Sequence, residues 1–173
     1  ELWRFTTLNL PGEKTFNANA GMFYGFSDVR GYDSNISRQY VDYMQLIEPQ
    51  RELLYNRIAP LSEHRSLDSP LLDLLNVKYV VTTQTIDHAG YTLIYDRELR
   101  VYRNEDCLPR AFIVYQAQVI PDAAARRDAL RQLDPRRAVI LEQTPEENVR
   151  ANKAGGWKPA QIVRYDLSEV VIE

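Results

Sequence analysis

Apolar and polar positions along this chain repeat at two periods, and the two alternate without a fixed rhythm. Leu2-Trp3-Arg4-Phe5-Thr6-Thr7-Leu8 alternates bulky and β-branched residues and predicts a strand ended by Pro11-Gly12. From 37 to 48, Tyr40, Val41, Tyr43, Met44 and Ile47 supply the i, i+3, i+4, i+7 stripe of a helix opened by Ser37. A second short helix is expected over 52–58. A third begins at Ser69-Pro70, where a cap residue precedes proline at the first helical position. Lys78-Tyr79-Val80-Val81-Thr82-Thr83 is a continuous β-branched run suited to a buried strand. Segments 91–95 and 99–103 flank Asp96-Arg97-Glu98 and read as a hairpin, with Leu99 and Val101 on one face and Arg100 on the other. A strand over 111–120, a helix from Asp122 to about residue 133, a strand over 138–141 and strands at 162–167 and 169–172 complete the pattern. The stretch 145–158, with Gly155-Gly156, reads as surface loop.

Helices and strands mixed in this way predict an α+β fold: a central, mostly antiparallel or mixed sheet with a few short flanking helices, in one domain over 1–173. Composition agrees, since 173 residues with 45% hydrophobic and 26% charged content suffice for a real core. The mean hydropathy is −0.42, and no window offers the 18 consecutive apolar residues of a membrane span. The formal charge of −3 is wrong for a chain that wraps nucleic acid. Lone Cys107 excludes an intrachain disulfide. Position 1 is Glu rather than Met, and the last residues form an alternating strand, so a piece of a longer protein is expected.

Chemistry-bearing motifs are sparse. The seven glycines form neither a dinucleotide fingerprint nor a phosphate loop, and no cofactor is called for. His64 and His88 are the only histidines and match no metal-ligand spacing. Cys107 follows Glu105-Asp106, whose charge would raise a thiol pKa, so it reads as passive. Glu105-Asp106 itself reads as solvated turn charge rather than a glycosidase pair. Arg126, Arg127, Arg131, Arg136 and Arg137 make a basic cluster whose functional reading is contact with headgroups or a lipid-linked phosphate. Asp122, Asp128 and Asp134 interrupt it.

The segment from Asn17 to Arg38 is the richest. Residues 16–35 predict a loop-rich amphipathic surface with one helical turn around 18–24. Phe23, Tyr24, Phe26 and Tyr32 are interleaved there with Asn19, Asp28, Arg30, Asp33 and Asn35. Sugars are bound by aromatic faces together with planar amide, carboxylate and guanidinium groups, so Asn19, Asp28, Arg30, Tyr32 and Asp33 are the candidate glycan-binding residues. The competing reading makes the aromatics core and the polar residues turn caps.

Three ordered stretches carry a family resemblance. Asn19-Ala20-Gly21-Met22-Phe23-Tyr24-Gly25 with Asp28-Val29-Arg30-Gly31-Tyr32-Asp33 is the first. Leu71-Leu72-Asp73-Leu74-Leu75-Asn76-Val77-Lys78-Tyr79-Val80-Val81 is the second. Leu99-Arg100-Val101-Tyr102-Arg103-Asn104 with Leu108-Pro109-Arg110-Ala111-Phe112 is the third. Together, over about 17–120, they resemble the YfhO family of bacterial multi-spanning membrane proteins, and 162–165 with 170–172 resembles the start of that family's next β-rich segment. The resemblance implies a soluble domain at the extracytoplasmic face of the cell membrane, tethered by membrane helices of a parent protein similar to C-type glycosyltransferases that use polyprenyl-phosphate-linked sugars. In such enzymes the catalytic carboxylate lies in an early loop that has no counterpart in this sequence, so no catalytic residue is carried over. The resemblance leaves the function of this piece open; the aromatic–polar interleaving of Asn19, Asp28, Arg30, Tyr32 and Asp33 leads to the expectation of a domain that is non-catalytic by itself and recognises a cell-envelope glycan or acceptor, with the parent's transmembrane portion as its partner. The alternative is a structural or assembly module docking on membrane loops or a partner subunit. A free-standing hydrolase is disfavoured because no nucleophile–base pair can be named.

Overall fold

The computed structural model describes residues 2–31, 33, 35–50, 57–145 and 156–173. Two compact units follow one another along the chain, Glu1–Leu108 and Pro109–Glu173.

In the first unit the elements are β1 (Arg4–Leu8), α1 (Ala20–Phe23), β2 (Ser27–Asp28), α2 (Arg38–Ile47), α3 (Pro70–Leu74), β3 (Val77–Thr82), β4 (Tyr91–Asp96) and β5 (Arg100–Asn104), with a 3₁₀ turn at His64–Asp68. They build a five-stranded sheet in the order β2-β1-β3-β5-β4. β1 runs parallel to β2 and β3, whereas β3, β5 and β4 are antiparallel neighbours. The fold is therefore α+β with a mixed sheet. Parallel pairing of β1 with β3 demands a long connection, and the helices of that connection carry much of the core. Met44 and Ile47 from α2 and Leu71 and Leu72 from α3 cluster with Leu8, Val80 and Tyr102 of the sheet.

Register explains which strand faces are buried. Thr6, Val80 and Tyr102 align across β1, β3 and β5, and Phe5, Tyr79 and Arg103 align beside them with side chains on the opposite face. The alternation expected in β5 is present, but its buried face carries Tyr102 and Asn104, while Val101 lies half-buried on the other. Tyr102 wins that face because its hydroxyl accepts a hydrogen bond from the Ile86 amide, satisfying a polar tip inside the core.

Ser37 and Ser69 occupy the N-cap positions of α2 and α3, yet neither side chain makes the capping hydrogen bond. Other contacts fix these helices. The Tyr40 hydroxyl donates to the Val29 carbonyl, and the Tyr43 hydroxyl to the Leu71 carbonyl at 2.7 Å. α3 is terminated just before Asn76, whose φ of 60° places it in the left-handed region an Asn tolerates. Asn76 Nδ2 donates to the Leu108 carbonyl at 2.8 Å, and Asn104 Nδ2 donates to Asp73 Oδ1 at 2.7 Å. These bonds tie α3 to the end of β5.

In the second unit the elements are β6 (Phe112–Ile113), β7 (Gln116–Val119), α4 (Ala123–Leu130), β8 (Ala138–Leu141), β9 (Lys158–Pro159), β10 (Ile162–Tyr165) and β11 (Val170–Ile172). The strand expected over 111–120 is broken into two because its halves pair with different partners. β6 pairs antiparallel with β9, and β7 pairs parallel with β8 across α4. α4 starts as predicted, with the Asp122 carboxylate accepting from the Ala125 amide at 2.8 Å. β10 and β11 form a hairpin. The helix expected over 52–58 and the loop over 145–158 fall largely outside the described residues.

Candidate functional site

Of the five residues singled out for glycan contact, the structure joins two. Arg30 and Asp28 form an ion pair at 2.7 Å whose side chains are only 2% and 5% exposed. The guanidinium donates through Nε and Nη2 to both carboxylate oxygens, and Nη1 donates to the Phe16 carbonyl at 3.2 Å. The Arg30 amide also donates to Asp28 Oδ1. Such a fork is strong because both partners are charged and their geometries match. It closes the base of the 16–28 loop, and both groups are engaged internally rather than turned toward solvent. Asn19 stands at the start of α1 with φ 66°, and Asp33 is exposed, accepting from the Asn35 amide at 3.1 Å. Tyr32 lies outside the described residues.

Beside this ion pair lies a cleft of about 730 Å³, between the 9–18 loop and the segment 57–63. Backbone bonds hold its two walls. The Leu61 amide donates to the Thr7 carbonyl, the Asn9 amide to the Leu61 carbonyl, and the Ile58 amide to the Gly31 carbonyl. Buried Glu48 anchors one wall: its carboxylate accepts from the Ser62 amide and hydroxyl, the Glu63 amide and the Ser66 hydroxyl. A buried carboxylate so fully paired is a structural hub. Asn9 and Gln50 are also spent, on the Glu13 carbonyl with the Thr15 hydroxyl and on the Glu48 carbonyl with the Ala59 amide.

That leaves Lys14, Asn17 and Arg57 as the cleft's polar side chains that make no hydrogen bond to another described residue, with Arg30 and half-buried Phe16 nearby. The chemistry available is hydrogen-bond donation from cationic and amide groups next to an aromatic ring. Among the described residues, Arg30 alone is common to the sequence-predicted set and this cleft. Lys14 and Arg57 carry no local signal, because they meet only through the pairing of Leu61 with the end of β1.

The aromatic residues of the same segment behave differently. α1 and the turn after it hold Phe23 at 94%, Met22 at 78% and Tyr24 at 68% exposure. The loop is tight: the Phe26 amide donates to the Gly21 carbonyl at 2.8 Å, and Gly25 has φ +73°. Trp3 lies below, its ring 5.6 Å from Phe26 and edge-on to Tyr79 at 4.8 Å.

The remaining candidates resolve into local structure. His88 Nδ1 accepts from the Gly90 amide, leaving Nε2 to donate to Asp68 at 2.5 Å, and the ring packs edge-on against Tyr91. Half-buried Cys107 has its sulfur 3.5 Å from Asn76 Nδ2. Arg103 pairs with Glu105 at 2.8 Å, and that hydrogen bond holds the Glu105 carboxyl below the usual range. In the basic cluster, Arg126 pairs with Glu142, Arg131 with Asp128 and Arg137 with Asp134. Among the described residues, no group of three His, Cys, Asp or Glu side chains gathers as a metal site, and no helix is long and apolar enough to cross a membrane. No family model matches the chain, and neither a curated protein nor a solved structure is significantly similar to it.

Proposed function

We propose that this chain is an extracytoplasmic recognition domain of a bacterial membrane protein resembling the YfhO family, non-catalytic by itself, and that its cleft receives a cell-envelope glycan or acceptor. One observation carries the reading: a cleft large enough for a sugar unit, lined by Phe16 and by Lys14, Asn17 and Arg57, whose side chains donate to no other described residue. Sugar hydroxyls are met by such donors, and the ring's apolar face by an aromatic edge. The parent's transmembrane portion would supply the bond-making groups and the polyprenyl-phosphate sugar.

The buried Asp28–Arg30 pair favours a second reading, a structural or assembly module, because two of the residues that looked ligand-directed instead brace the fold. Titration calorimetry with cell-envelope oligosaccharides separates the two. Recognition through the cleft predicts saturable binding that weakens about tenfold in Asn17→Ala and Arg57→Ala, each removing one or two hydrogen bonds. Binding unchanged in both variants, or no heat from the parent chain, would rule out the cleft reading and leave the assembly module.

A further inference from the structure

The protruding loop from Met22 to Phe26 is built rather than left over. Its backbone hydrogen bonds turn inward, with the Tyr24 and Phe26 amides donating to the Gly21 carbonyl and the Gly25 amide to the Met22 carbonyl. A Cβ at Gly21 would stand 2.7 Å from the Phe26 carbonyl oxygen and 3.2 Å from the Phe5 ring, so the tight approach requires glycine there. The consequence is that Met22, Phe23 and Tyr24 are held outward on a fixed frame. Contiguous apolar groups exposed to this degree mark an interaction site in a folded protein.

We propose that this loop is a bilayer-contact element, seating Met22, Phe23 and Tyr24 in the interfacial layer of a membrane that contains anionic lipid. Three observations choose this occupant. Met22, Phe23 and Tyr24 stand out into solvent together, and covering side chains so exposed needs a deformable medium or a dedicated groove. Residues 15–27 contain no Asp, Glu, Lys, Arg or His, and the carboxylate that follows, Asp28, is neutralised by Arg30, so seating the tip desolvates no unpaired charge. Behind the tip, ring contacts run from Tyr24 to Phe26, Trp3 and Tyr79, ending at Lys78, whose Nζ is 5.9 Å from the Tyr79 ring centre. An uncharged aromatic tip connected through ring contacts to Trp, Tyr and a lysine combines the residue types found at a bilayer interface. This inference is independent of the glycan reading, since neither Phe23 nor Tyr24 lines the cleft.

Flotation of the full chain with vesicles tests it, using phosphatidylcholine alone and phosphatidylcholine with one-quarter phosphatidylglycerol. The expected result is co-flotation with the mixed vesicles, reduced by at least about tenfold in the Phe23→Ser, Tyr24→Ser double variant. In a Trp157→Phe background, Trp3 emission should shift to the blue on binding, and Lys78→Ala should lessen the preference for anionic vesicles. Both serines replace solvent-exposed side chains, and an unchanged thermal unfolding curve confirms folding. A double variant that floats within twofold of the parent overturns the proposal. So does a parent chain that floats with neither vesicle, which would point to a protein groove as the occupant.

Discussion

Arg30 illustrates how a residue's type suggests one role and its neighbours assign another. Five donors on a guanidinium suit a carboxylate or phosphate ligand, but here each of its nitrogens is engaged within the fold, Nε and Nη2 by Asp28 and Nη1 by the Phe16 carbonyl. Removing one partner strands a buried charge, so Asp28→Asn should cost about 3–5 kcal/mol in urea unfolding, whereas an exposed acid such as Asp33→Asn should change little. Three tyrosines give a second residue-scale prediction. Burial pushes Tyr40 up to about 12, and it raises Tyr43 and Tyr91 as well. In the unfolded chain tyrosine ionises near pH 10, so the folded state holds extra protons above that pH. The stabilisation is complete below about pH 10 and is lost as pH rises through the folded value. Urea midpoints should therefore fall above pH 10, and Tyr40→Phe should flatten that fall between 10 and 12, by up to about 1.4 kcal/mol per pH unit. An equal slope in the variant would show that Tyr40 ionises normally.

At the scale of elements, periodicity exposed the strands and helices that bury one clear face. β3, α2 and the hairpin of β4 and β5 fall within about two residues of their expected limits. What periodicity missed was decided at long range. The 111–120 strand splits because β9 and β8 claim its halves, and the candidate cleft exists only because Leu61 pairs beside β1. The polar residues of the 16–35 segment advertised a site, yet burial of Arg30 depends on a carbonyl 14 positions upstream. The aromatics there were open to a core reading, and the close approach at Gly21 turns Phe23 outward instead. Gly21→Ala should lower stability by roughly 1–3 kcal/mol through that clash, while Gly31→Ala, with open space around its Cβ position, should be near neutral. Loss of the α4 cap in Asp122→Ala should cost about 1 kcal/mol, read as reduced helicity or a lower unfolding midpoint.

Across the whole molecule, burial is unevenly distributed. Nearly all fully buried side chains belong to the first unit, whereas Pro135 and Ala138 are the buried residues described in the second. Hydrogen exchange should follow this division: amides of β3 and β5 should be the most protected, and those of β10 and β11 should exchange at least about a hundredfold faster. Equal protection would mean that the second unit draws stability from something other than its own core. The account as a whole rests on recognition by the first unit through its cleft. The most direct measurement is a backbone amide shift map of the isotope-labelled chain during titration with cell-envelope oligosaccharide. Recognition through the cleft predicts saturable shifts concentrated at residues 14–17 and 57–63. Shifts absent at millimolar ligand, or confined to the second unit, would contradict it.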